Sequence, residues 1–171
     1  FYDLNRRPGE SPFDLARRYG WGPQVAALII ADYLIANRDR HGANIEVIRS
    51  PEGSVHLAPL FDSGLSFVFS CYGDEERVRA FDPLSDVNAN NYLGTRSLEE
   101  NLRFVGELVE TPLPMPPLGE GRIRALTDGI GHAVSDAHVA KMREMLARRW
   151  EHLLAGGIVV ESRSDGLSRE G

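Results

Sequence analysis

A mainly helical α+β fold is what this sequence predicts, on three observations. Residues 23–36 and 136–155 repeat apolar side chains at helical spacing. Between them, Ile45-Glu46-Val47-Ile48 and Val55-His56-Leu57-Ala58 alternate on either side of Ser50-Pro51-Glu52-Gly53. Alternation across a Pro/Gly turn is the pattern of a β-hairpin.

Taken in order, residues 1–22 form a polar lead-in broken by Pro8, Gly9, Pro12, Gly20 and Gly22. Ser11-Pro12 is positioned to cap a short helix there, with Phe13, Leu15, Ala16 and Tyr19 as its sticky face. Pro23 opens the first strong helix, which runs to about Ala36. Its Val25, Leu28, Ile29, Tyr33 and Leu34 share one side, and Ala26, Ala27, Ile30 and Ile35 leave little polar surface on the other. A helix apolar nearly all round belongs in a core. After the hairpin, an apolar patch spans Leu65 to Phe69, and 70–96 reads as loop, rich in Asp, Asn and Gly. Ser97-Leu98-Glu99-Glu100 has the character of a helix cap and starts a helix to about Val109. Four prolines between Thr111 and Gly121 mark a connector, and its Pro114-Met115-Pro116-Pro117 is read as plain spacer. Helices are expected over 122–133 and 136–155, the second with Val139, Met142, Met145, Leu146, Trp150 and Leu153 as a core stripe. Gly156-Gly157 stops it, and 157–171 is expected to be a flexible tail.

Composition removes several function classes. The 171 residues carry a net charge of −6, against general nucleic-acid binding, which needs a basic stripe to displace phosphate counterions. The longest apolar run, Val25 to Ala31, is too short to cross a bilayer, so no membrane role is expected. Cys71 is the single cysteine; it excludes an internal disulfide and a thiolate zinc site and makes a reducing cytoplasm the default. No Gly-x-x-x-x-Gly-Lys is present, and Gly64-Leu65-Ser66-Phe67 lacks the second glycine of a nucleophile elbow. His132, Asp136 and His138 lie close together and read as helix-boundary polar residues rather than a metal site.

The informative stretch is 37–64. The buried helix delivers Asn37-Arg38-Asp39-Arg40-His41-Gly42-Ala43-Asn44, the hairpin follows, and the chain returns through Pro59-Leu60-Phe61-Asp62. Phosphoryl transfer needs a carboxylate beside the attacking hydroxyl and two oxygen ligands for magnesium. The two ends of a hairpin are neighbours in space, so Asn44 and Asp62 can face one metal. Asp39 has to be ionised for this chemistry, and neighbouring Arg38 or Arg40 is expected to favour that form. Read without the hairpin and Asp62, the same Asp/Asn pair is an ordinary cap or turn.

An Asp-x-x-x-x-Asn loop, a hairpin and then an Asp resembles the C-lobe of the protein-kinase-like superfamily. Within it, residues 37–44 are similar to the Asn-x-Asp-Arg-His-x-x-Asn loop of HipA-like serine/threonine kinases, and the phosphatidylinositol 3- and 4-kinases carry a related loop. Asp32-Tyr33-Leu34-Ile35 and Leu57-Ala58-Pro59-Leu60-Phe61-Asp62 extend the likeness, which covers about residues 24–67. The resemblance implies a kinase-like C-lobe whose core is 23–110, with 122–156 as its C-terminal helices, and an activity dependent on ATP and Mg2+. It implies that Asp39 accepts or orients the proton of the attacking hydroxyl and that Asn44 and Asp62 hold magnesium and, through it, the nucleotide. His41 hydrogen-bonds within the loop or helps with the proton, and Asn37 and Arg40 shape the loop.

A kinase also needs a small lobe with a glycine-rich loop and a strand lysine. The only lysine here, Lys141, follows the metal residues, and 22 residues before the core helix are too few for that lobe. The chain begins at Phe1, and the reading is of a large lobe whose partners are a missing N-terminal lobe, a protein substrate and an antitoxin-like protein. The alternatives are a non-catalytic module that kept the fold, or a lipid or small-molecule kinase.

Overall fold

The computed structural model describes residues 6–162. Ser11 caps α1 (Pro12–Arg18) through a reciprocal box with Asp14, as the Ser-Pro start predicts. The second helix, α2 (Gly22–Ile35), is the centre of the molecule: Val25, Ala26, Leu28, Ile29, Ile30, Tyr33 and Leu34 are all buried. Gly22 is required at its start, because a Cβ there would collide with the carbonyl of Leu108. Ala36 ends α2 in the left-handed region, φ 50°, and so turns 37–44 away from the helix axis.

The loop then makes β1 (Asp39–Arg40) and a 3-10 turn over Gly42–Asn44. The hairpin is shorter than its apolar pattern: β2 (Val47–Arg49) pairs antiparallel with β3 (Val55–Leu57). Residues 70–96, expected as loop, contain α3 (Glu75–Ala80), capped by Asp74, and β4 (Asn90–Asn91), which runs parallel to β1. The helix expected over 97–109 is two short ones, α4 (Leu98–Asn101) and α5 (Arg103–Leu108), jointed at Leu102. Both pack on α2, with Leu98, Asn101, Val105 and Leu108 buried.

Two differences come from pairing that no local pattern signals. The connector 111–121 contains β5 (Leu113–Met115), and the stretch expected to start a flexible tail contains β6 (Val159–Glu161); the two strands pair in parallel. Residues 163–171, the rest of that expected tail, lie outside the described residues. The helix expected over 122–133 is α6 (Glu120–Leu126) plus a 3-10 turn at Ile130–His132, separated at Gly129 with φ 79°. The last helix, α7 (Asp136–Ala155), matches its periodicity and packs on α2 and α3.

The architecture is thus α1, α4, α5 and α7 packed on α2, α3 and α6 packed on α7, and, among the described residues, three two-stranded sheets. Among the described residues no helix is long and apolar enough to cross a membrane.

Candidate functional site

The site is built where α2 ends. Asp32 lies on the buried face of α2, 1 % exposed, and a carboxylate in such a place needs a partner. Two partners come from the loop. Asn37 donates from Nδ2 to Asp32 Oδ1 at 2.8 Å, and Arg40 meets both carboxylate oxygens, with Nε 3.0 Å from Oδ2 and Nη2 2.9 Å from Oδ1. Asn37 also accepts the Asp39 backbone N–H at 3.2 Å, which shapes the turn into β1.

Arg40 goes further. Its Nη1 donates to the Asn44 carbonyl at 3.1 Å and to the Phe61 carbonyl at 2.9 Å, and Nη2 lies 3.4 Å from Ser63 Oγ. One nitrogen therefore holds the backbone of Asn44 and the residue before Asp62, which are the two ends of the hairpin region. The return strand is tied to the loop independently: Arg38 N–H donates to Leu65 O, and Phe67 N–H donates to Ile35 O. Asp62 (φ 51°) and Phe67 (φ 53°) both sit in the left-handed region, so the chain bends sharply on each side of this pairing.

Asp39, His41 and Asn44 come together directly. Asn44 Nδ2 donates to the Asp39 carbonyl at 2.9 Å, which turns its amide oxygen the other way, free to ligate. His41 caps the 3-10 turn: its Nδ1 accepts from Ala43 N–H at 3.2 Å. The ring proton of neutral His41 is therefore on Nε2, which faces Asp39 Oδ2 at 3.9 Å. The hydrogen bond within the loop is thus one of the two uses expected for His41, and the other nitrogen is turned toward Asp39. Asp62 joins the group through its backbone neighbour Phe61, and its own carboxylate is exposed.

One expectation is corrected. Arg40 does not serve Asp39; its guanidinium is spent on Asp32 and on loop carbonyls, because a cation 1 % exposed takes the nearest buried carboxylate. Arg38 has its Nε buried without a partner. The donor on the Asp39 carboxylate is instead Asn90 on β4, whose Nδ2 lies 3.0 Å from Oδ1. Asn90 was invisible to pattern reading, since it comes 51 positions later in a stretch that reads as loop. Asp32 did carry a signal: an acidic residue on the core side of an otherwise apolar helix.

Asn44 carries an amide oxygen and Asp62 a carboxylate, oxygen donors of the kind magnesium takes, and Arg40 ties the backbone of Asn44 to that of Phe61 beside Asp62. Among the described residues no three His, Cys, Asp or Glu side chains gather as they would around a metal held by protein alone. Asn44 also lines a hollow of about 380 Å³ with Gln24, Ala27, Leu28, Leu57 and Leu60. The chain matches no family model, no curated protein and no solved structure. What fold and site define together is a class of architecture, a mainly helical α+β protein with a polar loop cross-tied at the end of its central helix.

Proposed function

We propose that this chain is the large lobe of an ATP- and magnesium-dependent phosphotransferase, a HipA-like serine/threonine protein kinase that acts on a protein hydroxyl. The observation that carries the reading is the Arg40 bridge, which joins Asn44 and the Phe61–Asp62 segment beside Asp39. A loop that served only as a helix cap has no need of a buried cation reaching across the hairpin.

In this reading Asp39 takes up or orients the proton of the acceptor hydroxyl from its exposed side. Asn44 and Asp62 hold magnesium, which when bound neutralises charge on the phosphates during transfer. His41 keeps its proton on Nε2 and steadies the loop. The apolar hollow beside Asn44 is one wall for the nucleotide, and Asp39 and Asp62 lie outside it. The other wall, with a glycine-rich loop and a phosphate-contacting lysine, comes from a further lobe. Lys141 cannot take that part, because its Nζ is tied to the Phe81 carbonyl at 2.8 Å and to Glu144 at 2.6 Å.

The test is turnover of labelled ATP by the intact gene product that contains this chain. Asp39→Ala is expected to lower it by about 10²–10⁴-fold, the usual contribution of a general base, with an unchanged melting curve. Full activity in Asp39→Ala refutes the role given to Asp39, and no turnover by the wild type refutes the enzyme reading.

A further inference from the structure

We infer that Asn90 is a positioning residue for Asp39, an inference that rests on the phosphotransferase reading. The Asp39 carboxylate has two different oxygens. Oδ1 receives the Asn90 amide at 3.0 Å, whereas Oδ2 faces His41 Nε2 across 3.9 Å, too far for a full hydrogen bond. Oδ2 is therefore the oxygen with room to receive the proton of an acceptor hydroxyl, and Asn90 fixes the carboxylate plane that aims it.

Asn90 is itself exposed, so burial does not dictate where its amide points. Its backbone is what places it. Asn90 N–H donates to the Arg38 carbonyl at 2.7 Å and Tyr92 N–H to the Arg40 carbonyl at 2.9 Å, so β4 brackets Asp39 on both sides. The loop that carries Asn90 is closed in turn. Ala89 N–H meets the Arg96 carbonyl at 2.8 Å, and Asn101 clamps Thr95 twice, accepting its N–H at 2.7 Å and donating to its carbonyl at 2.9 Å. Gly94, at φ 88°, allows the close approach, because a side chain there would run into Asn101 and Phe104. A donor mounted on so many fixed points holds its acceptor in one orientation. Catalytic geometry is sensitive to errors of about 1 Å, which can cost about a hundredfold in rate.

The experiment has two arms. In the 171-residue chain, the Asn90 side-chain amide is followed by nitrogen–proton correlation NMR. Asp39→Ala is expected to shift that pair of resonances toward the solvated position; an unmoved pair overturns the inference. In the intact gene product, Asn90→Ala is expected to lower kcat by about 10–100-fold with KM for ATP unchanged. Asn90→Gln, which keeps the amide donor on an exposed side chain, should recover most of the loss, with all variants melting as the wild type does. Wild-type kcat in Asn90→Ala beside a dead Asp39→Ala overturns this inference and leaves the enzyme reading standing. An Asp39→Ala protein with full turnover overturns the role of Asp39 and this inference with it, whereas a wild type without turnover overturns the phosphotransferase reading.

Discussion

Arg40 and Arg149 are both almost wholly buried, 1 % and 0 % exposed, yet the two regions they hold solve the problem of a buried cation differently. Arg40 has a carboxylate, Asp32, and adds two carbonyls from the candidate site. Arg149, on α7, hydrogen-bonds only carbonyls: Pro83 at 2.8 Å, Tyr33 at 2.8 Å and Ser85 at 2.7 Å. Its guanidinium also lies 4.8 Å from the centre of the Tyr33 ring. Among the described residues no carboxylate comes within ion-pair distance of it, and burial lowers the pKa of Arg149 below its ordinary value, with Tyr33 and the more distant charges of Asp86, Glu99 and Asp82 pulling the other way. The contrast separates two tasks. Neutral carbonyls are enough to pin the 83–85 loop against α2, which is a structural knot. At the site the cation is cancelled by Asp32, so the loop is cross-tied without leaving a strong positive charge beside Asp39.

The comparison breaks most visibly at Asp32. Asp32→Ala leaves Arg40 buried and unpaired and is expected to cost about 3–5 kcal/mol of stability, read from denaturant unfolding. Backbone amide resonances of 37–45 and 61–65 should move with it, since Arg40 is their shared anchor. A loss under 1 kcal/mol, about that of a surface ion pair, would mean that the carboxylate is not what makes Arg40 tolerable.

A smaller loss is expected from Arg149→Met, about 2–3 kcal/mol. It removes the charge, keeps an apolar stem and leaves carbonyls short of donors, which a fold tolerates better than an unpaired ion. The perturbed resonances should be those of 81–86, with 37–45 unmoved. Shifts at the candidate loop would show that the two regions are one unit.

The smallest effect at neutral pH is that of Tyr33→Phe, and it sharpens the picture through pH. Burial first, then the charge of Glu99, pushes the Tyr33 hydroxyl from 10.0 up to about 12, while Arg149 pulls the other way. For an acid raised in the folded state, the stability it contributes is complete below pH 10 and is lost as pH climbs toward 12. Wild type should therefore lose stability across that window, and Tyr33→Phe should flatten the loss while melting normally at pH 7. An unchanged alkaline slope would show that the hydroxyl is solvated rather than enclosed.

Much of the fold is legible in local pattern, and the reason is visible residue by residue. The apolar run in α2, the Ser11-Pro12 start, the Pro51-Glu52-Gly53 turn and the stripe on α7 each act within a few positions, where side-chain period and capping chemistry decide the outcome. Asp39, Asn44 and Asp62 were legible in the same way, from their spacing around the hairpin. The partners of those residues were not. β1 and β4 are two residues each and pair across 51 positions, and the three-residue β5 and β6 meet across 46, so neither pair carries an alternating pattern to read.

By itself, then, the sequence determined the central helix, the hairpin and the last helix, and which polar residues fall in the loop after α2, because those choices follow from short-range sterics, capping and burial. Only the tertiary structure decided who neutralises whom. Arg40 turns to Asp32 rather than to Asp39, and Asn90 takes the Asp39 oxygen, because a buried charge is paired by whatever the packed chain brings within about 3 Å, and that is set by the way the helices close around α2.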